Sequence, residues 1–248
     1  MPTARETLLD TALAALGARP WSAVRMVDVA ARARVSRQTL YNEFGSKEGL
    51  ARALVRREAD RYLRGVEAVL AEAVPAGALP AEPGPYARGL LAVAEWTVAA
   101  AAARPVLRAL LTGAWDERLP APRPVRVGSR LAPVPEQRRA DAGVPTPGEL
   151  LAQARDRAAS LIARGPDGGD GEGAGHAEAA GDAEAARAAT DTDDTAAVLR
   201  SCELALRLAL SFVVASTGRE AEGERVCLVR DALFPQRVSG RTPTAGGR

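Results

Sequence analysis

The first fifty residues carry short apolar stripes at helical spacing, separated by polar breaks. Leu9, Ala12, Leu13 and Leu16 fall on one helical face and predict a helix over 4–16. Thr3-Ala4-Arg5-Glu6 has the form of a capping box that opens it, and Gly17 and Pro20 are its stop signals. Val29, Ala30 and Ala33 predict a second, shorter helix over 26–33. Arg34-Val35 reads as a turn, Ser36 as the N-cap of a third helix over 37–44, and Gly45 as its left-handed terminator. Ser46 then caps a long fourth helix over 47–70, with Leu50, Leu54, Leu63, Val66 and Leu70 on its apolar positions.

A Pro/Gly-rich link over 74–85 follows, and helices are predicted over 86–102 and 105–112, the latter with Pro105 in its first turn. Residues 118–147 hold seven of the 17 prolines and read as loop. Helical pattern returns over 147–163, 195–217 and 224–234. Between the first two of these, residues 165–194 contain no aliphatic side chain larger than alanine and are expected to be disordered, since they bury too little to offset ordering. A flexible tail is expected over 236–248. After Arg207 the helix is apolar on nearly every side (Leu208, Ala209, Leu210, Phe212, Val213, Val214), which demands burial in a core or against a partner. The pattern as a whole predicts an all-α chain: a three-helix head over 1–48 and a helical body over 49–235.

Composition supports that reading. Hydrophobic residues make up 47% of the 248, but aromatics only 4%, and Ile162 is the single isoleucine, so alanine and leucine, the best helix formers, must do most of the packing. Residues 165–194 carry a net −8 against +2 for the whole chain, so the remainder is a basic body of about +10, suited to a polyanionic partner. Cys202 and Cys227 are isolated, with no metal-ligand spacing, and read as reduced core residues. The N-terminus lacks the pattern of a signal peptide, and the longest apolar run, 89–103, is short and broken by Glu95, so a cytoplasmic, nucleoid-associated protein without membrane contact is expected. The one histidine, His176, lies in the acidic stretch, and no nucleophile–base–acid set or phosphate loop is legible; no catalytic residue, metal or cofactor is expected.

The segment Val27 to Leu50 carries the strongest signal: VDVAARARVSRQTLYNEFGSKEGL. Small Ala30 and Ala33 let two short helices cross closely, Val35, Leu40 and Phe44 close a miniature core, and Arg37, Gln38, Thr39, Tyr41 and Asn42 are left on the outer face. Those side chains suit base edges and phosphates in a major groove. Lys47 is the only lysine and Asn42 the only asparagine, both within this motif. The run resembles the signature of the tetracycline-repressor family, IA-x-x-A-G-V-S-x-x-T-L-Y-x-x-F-x-S-K-x-x-L, over about residues 4–65. Two positions depart from it. Arg34 stands where the family has glycine and must accept the turn, at a cost of about 1 kcal/mol if left-handed. Arg25 stands where the family has a capping threonine; it cannot cap but can reach phosphate.

The resemblance implies a sequence-specific transcriptional regulator that binds double-stranded operator DNA as a homodimer. It implies a helix-turn-helix domain joined to an all-α domain for ligand binding and dimerisation. Arg37 and Gln38 are then the base-reading residues, pairing with guanine and adenine; Thr39, Tyr41, Lys47 and Arg25 are placed on the phosphate backbone, Ser36, the N-cap, is counted with the DNA-binding set, and Asn42 lies on a base or sugar, or merely on the surface. A repressor answering to a small, largely apolar effector is the first expectation, and an activator or ligand-independent regulator the second. A protein-binding helical module is the remaining alternative. Tyr86, Trp96, Trp115 and Phe212 are candidate effector contacts or simply core, and Glu95 either a buried polar anchor or a surface carboxylate.

Overall fold

A computed structural model describes residues 3–73, 83–122, 143–164 and 181–215. Those residues form eight α-helices and a short 3-10 turn, without strands. In chain order they are α1 (Ala4–Ala18), the 3-10 turn Trp21–Ala23, α2 (Met26–Ala33), α3 (Arg37–Phe44), α4 (Lys47–Ala73), α5 (Pro83–Ala103), α6 (Pro105–Thr112), α7 (Pro147–Arg164) and α8 (Gly181–Ala215).

The helix ends follow their local chemistry. Thr3 and Glu6 form a reciprocal capping box, with Thr3 N–H donating to Glu6 Oε2 at 2.7 Å. Gly17 does not stop α1, which runs one residue past it; Arg19 turns extended there, and Pro20 follows. Arg25 caps α2 with backbone only. Arg34 ends α2 in the left-handed region at φ 55°, ψ 36°, the one non-glycine at positive φ among the described residues. Ser36 Oγ accepts from Thr39 N–H at 3.0 Å and starts α3. Thr146 and Glu149 repeat the capping box at α7, with Thr146 N–H donating to Glu149 Oε2 at 2.7 Å.

Two cores result. The head core joins Leu8, Leu9 and Ala12 of α1, Val29 and Ala33 of α2, and Leu40 and Phe44 of α3 to Leu50, Ala53 and Leu54 of α4. The expected domain boundary after residue 48 therefore cuts through this core, because the first two turns of α4 belong to the head. From Val55 onward α4 packs into the body core with α5, α6, α7 and α8. Leu16 packs against both cores.

The body holds α4 against α5 with a polar cluster that the sequence does not announce. Glu58 is 2% exposed, and its Oε2 lies 3.5 Å from Arg104 Nη1. One turn on, buried Tyr62 stacks on Trp96 with centroids 5.7 Å apart, and its hydroxyl is 3.3 Å from Thr97 Oγ1. Trp96 can lie this close because its ring passes over Gly65: a Cβ there would meet it at 2.1 Å. Arg104 packs over the same ring, 5.6 Å from its centroid.

Two expectations change. Helix α8 starts at Gly181, fourteen residues before Thr195, so 181–194 is helical rather than disordered. The run Asp182 to Ala189 explains this: five of its eight residues are alanine, and helix propensity offsets the lack of large apolar side chains. Likewise α5 begins at Pro83, inside the expected link. Residues 165–180, with His176, lie outside the described residues, as do Cys227, the expected helix over 224–234 and the tail over 236–248. Cys202 is a free thiol in the body core. Among the described residues no single helix is long and apolar enough to cross a membrane; α5 and α6 pass only as a pair bent by 118°, and both are core helices.

Candidate nucleic-acid interface

The recognition surface rests on α3, whose inner face is Leu40 and Phe44 at 0% and 3% exposure. With those anchored, Ser36, Arg37, Gln38, Tyr41 and Asn42 are exposed and Thr39 is half-buried, so the structure brings the α3 set onto one surface as the motif predicts. Tyr41 is 45% exposed, which places it outside the core. The surface is partly pre-ordered. Gln38 Nε2 donates to Asn42 Oδ1 at 2.8 Å, one turn along the helix. That bond uses one amide proton and leaves Gln38 Oε1 and the second N–H, the pair a bidentate contact to adenine requires. Asn42 thereby acquires a role as orienter of Gln38. Ser36 Oγ and Thr39 Oγ1 are 2.8 Å apart, so Thr39 is tied to the N-cap.

Helix α3 is tied to α1: Arg5 reaches Glu43 Oε2 at 3.2 Å and lies over the Phe44 ring, 4.9 Å from its centroid. Elsewhere in the head Arg19, just past α1, pairs with Asp28 of α2 at 3.4 Å, and Arg57 of α4 with Asp10 of α1 at 2.6 Å. These are partly exposed pairs whose value is orientation rather than stability. Arg25 is exposed at the start of α2 and has the reach of a phosphate contact.

Lys47 is more constrained than its motif position implies. Its Nζ donates to Ser22 carbonyl oxygen at 3.1 Å and sits 5.3 Å from the centroid of the Trp21 ring. Partial burial lowers its pKa from the ordinary lysine value, opposed by the charge of Glu48. Trp21 was not legible as a site residue, since a tryptophan after a proline carries no motif and its partner lies 26 residues away.

The four candidate effector residues whose side chains are described do not converge. Trp96 and Trp115 pack on the main body core, Phe212 on a separate small cluster with Ala94 and Ala209, and Glu95 is exposed as a surface carboxylate. The Tyr86 side chain lies outside the described residues. A cavity of about 330 Å³ opens instead between α7 and α8, lined by Leu151, Leu206, Arg155, Glu203 and Arg207, with Gly148 and Ala152 at its edge. None of the four described candidates, Glu95, Trp96, Trp115 and Phe212, lines it. Among the described residues no cluster of His, Cys, Asp or Glu has the arrangement of a metal site.

Residues 8–54 match the family model described as bacterial regulatory proteins, tetR family. That span runs from the first buried leucine of α1 to the last head-core residue of α4. The chain is 38% identical over 136 residues to the HTH-type transcriptional regulator AlkX of Mycobacterium tuberculosis (strain ATCC 25618 / H37Rv), covering 52% of this chain and 60% of that protein. It thus spans less than two thirds of the relative's length. A crystal structure of the TetR family repressor AlkX from Dietzia sp. strain DQ12-45-1b, implicated in biodegradation of n-alkanes, superposes over 92% of this chain and 94% of that one at 18% identity and a TM-score of 0.46. The match over the head is to the helices that carry the candidate recognition surface, and over those helices the chain is similar to the tetR family of bacterial regulatory proteins.

Proposed function

We propose that this protein is a sequence-specific DNA-binding transcriptional regulator that docks α3 in the major groove, works as a homodimer, and acts as a ligand-responsive repressor. The observation that carries the DNA reading is the α3 surface: an apolar inner face fixed in the head core, and an outer face of Arg37, Gln38, Tyr41 and Asn42 with Lys47 beside it. Arg37 and Gln38 read bases, while Thr39, Tyr41, Arg25 and Lys47 hold phosphates and fix the register. Dimerisation is supported by Leu161 of α7 and Leu204 and Val214 of α8, large apolar side chains at 37%, 40% and 65% exposure in one chain. A two-half-site operator calls for the same symmetry. The effector reading is supported by the body itself, whose helix α4 also supplies Leu50 and Leu54 to the head core.

The test starts by enriching a duplex from a random pool with the wild-type protein. Arg37→Ala and Gln38→Ala should each relax preference at one base pair by about 1–3 kcal/mol, and Lys47→Ala should weaken all sequences alike and flatten the salt dependence. Unchanged affinity and preference in all three variants would remove the assignment. Titrating apolar compounds while following Trp emission and duplex release together tests the effector; saturable binders that never alter affinity would leave a ligand-independent regulator.

A further inference from the structure

We propose that Trp21 is a positioning residue for Lys47, and that the body segment 113–122 holds Trp21 in place. The inference rests on the DNA-docking reading above. Trp21 opens the 3-10 turn between α1 and α2, where a backbone N–H has no partner within its own turn. That N–H donates to the carbonyl of Arg118 at 2.9 Å, across 97 residues and from the head to the body.

Arg118 is itself fixed. Its N–H donates to Asp116 Oδ1 at 2.8 Å, and Leu119 N–H donates to the Asp116 carbonyl at 3.2 Å, closing a tight turn that aims the Arg118 carbonyl at the head. On either side Trp115 and Leu119 pack against the body core, so the turn is seated on the body. On the head side, the Trp21 ring lies under the Lys47 ammonium at 5.3 Å and the next carbonyl, Ser22, accepts from Nζ at 3.1 Å. The chain of contacts is therefore body core, Asp116 turn, Trp21, Lys47.

Its chemical effect follows from what a lysine otherwise is. A free lysine at the first position of a helix samples many rotamers and loses that freedom when it grips a phosphate. Here one ammonium N–H is spent on Ser22, the ammonium itself is held over an aromatic face, and two N–H donors remain at the N-terminus of α4, where the helix dipole favours the same anion. A displacement of the 113–122 segment would release Trp21 and with it the pre-placed ammonium. The link reaches Lys47 without running along the length of α4.

The experiment measures affinity and salt slope for the duplex enriched by the wild type. Trp21→Ala should weaken binding by about two- to five-fold, the worth of one exposed cation–π contact. It should also lower the salt slope by up to about 0.9, the share of one phosphate. Trp21→Phe, which keeps a ring, should restore both. Asp116 is exposed, and Asp116→Ala should shift both quantities in the same direction, with Asp116→Asn recovering them because an acceptor oxygen is retained. In a Lys47→Ala background neither Trp21→Ala nor Asp116→Ala should have any further effect. Additive losses, or an unaltered salt slope in both Trp21→Ala and Asp116→Ala, would overturn the proposal. If Trp21→Ala does not fold, the Asp116 pair decides the question alone. A Lys47→Ala protein that binds like the wild type would instead overturn the phosphate role of Lys47, and the proposal would fall with it.

Discussion

Gly49→Ala should damage this protein where Gly17→Ala should stabilise it, although both replace a helical glycine by the best helix former. A Cβ at Gly17, in the last turn of α1, meets nothing within 4 Å. A Cβ at Gly49, in the first turn of α4, would lie 1.8 Å from the carbonyl oxygen of Phe44 and 3.0 Å from its carbon. That oxygen cannot swing away freely. It accepts Ser46 N–H at 2.7 Å across Gly45, whose φ of 68° and ψ of −47° form a tight turn that suits only glycine. Helix propensity favours alanine by up to about 1 kcal/mol at either site. Relieving the clash means moving the α3–α4 junction by more than an ångström, an overpacking cost of about 1–3 kcal/mol, with roughly 1 kcal/mol more if the Ser46 bond is lost. The net expectation is a loss of about 1–3 kcal/mol for Gly49→Ala and a gain of up to about 1 kcal/mol for Gly17→Ala. Urea unfolding with an unchanged m-value reads both directly. Because the junction sets Phe44 against Lys47, DNA affinity should fall in the Gly49 variant even under conditions where it is fully folded. A Gly49→Ala protein as stable as Gly17→Ala would refute the close approach of α3 to α4.

Two further outcomes concern the polar seam between α4 and α5. Burial pushes the Tyr62 hydroxyl up to about 12, opposed by its bond to Thr97 and the charge of Arg104. The folded state therefore holds this proton more tightly than the unfolded chain, and the associated stability is complete below pH 10 and lost as pH rises from there through about 12, by roughly 2–3 kcal/mol. Denaturation midpoints of wild type and Tyr62→Phe between pH 9 and 11.5 check the sign: the wild type should lose stability faster, and parallel curves would refute it. Glu58→Gln should cost about 3 kcal/mol because it leaves Arg104, 17% exposed, without its carboxylate partner, whereas Glu58→Gln combined with Arg104→Met should recover much of that loss. A neutral Glu58→Gln would show that the pair is not a buried one.

The head was legible because its instructions are local. The capping box at Thr3, the Ser36 cap, the left-handed Arg34 and the Gly45 stop each depend on four or five consecutive residues, and the structure places all of them within a residue of the expected position, although Gly45 stops α3 at φ 68°, ψ −47°, a tight turn rather than the expected left-handed conformation. Even the departures from the family pattern resolve locally: Arg34 takes the left-handed conformation that favours glycine, and Arg25 caps with backbone alone. What the sequence hides is contact between distant segments. Trp21 meets Arg118, Glu58 meets Arg104, and Trp96 lies over Gly65, and no periodicity marks any of these pairs. Helical phase does separate Glu95 from its neighbours, since Leu90, Val93, Ala94 and Thr97 define the buried face and Glu95 falls outside it. The chance of a buried anchor there came from adjacency to Trp96, which on a helix does not mean a shared face. Residues 181–194 depart from expectation for another reason: charge and small side chains argue against a core, but alanine-rich sequence forms helix without one.

The placement of Leu50 and Leu54 in the head core, and of Val55 onward in the body core, constrains how the protein can work. Helix α4 runs unbroken from Lys47 to Ala73, so no hinge in it separates the part that supports α3 from the part that packs on α5 and α7. A rigid helix shared by two cores transmits rotation, and its ends move in proportion to their distance from the pivot. Its 27 residues make it about 40 Å long. A tilt of about 5° at the body end therefore displaces Lys47 by several ångströms, while half-sites on one duplex face are fixed about 34–36 Å apart. On the proposed reading, the body need not change shape greatly to govern DNA docking. Arg57–Asp10 and the Trp21–Arg118 bond add resistance to that tilt, because both would have to follow or break. A molecule that binds the body differently in the docked and undocked arrangements must then be bound differently by the protein on and off DNA, by the same factor. The orientation of α4 is the shared variable through which that coupling would run.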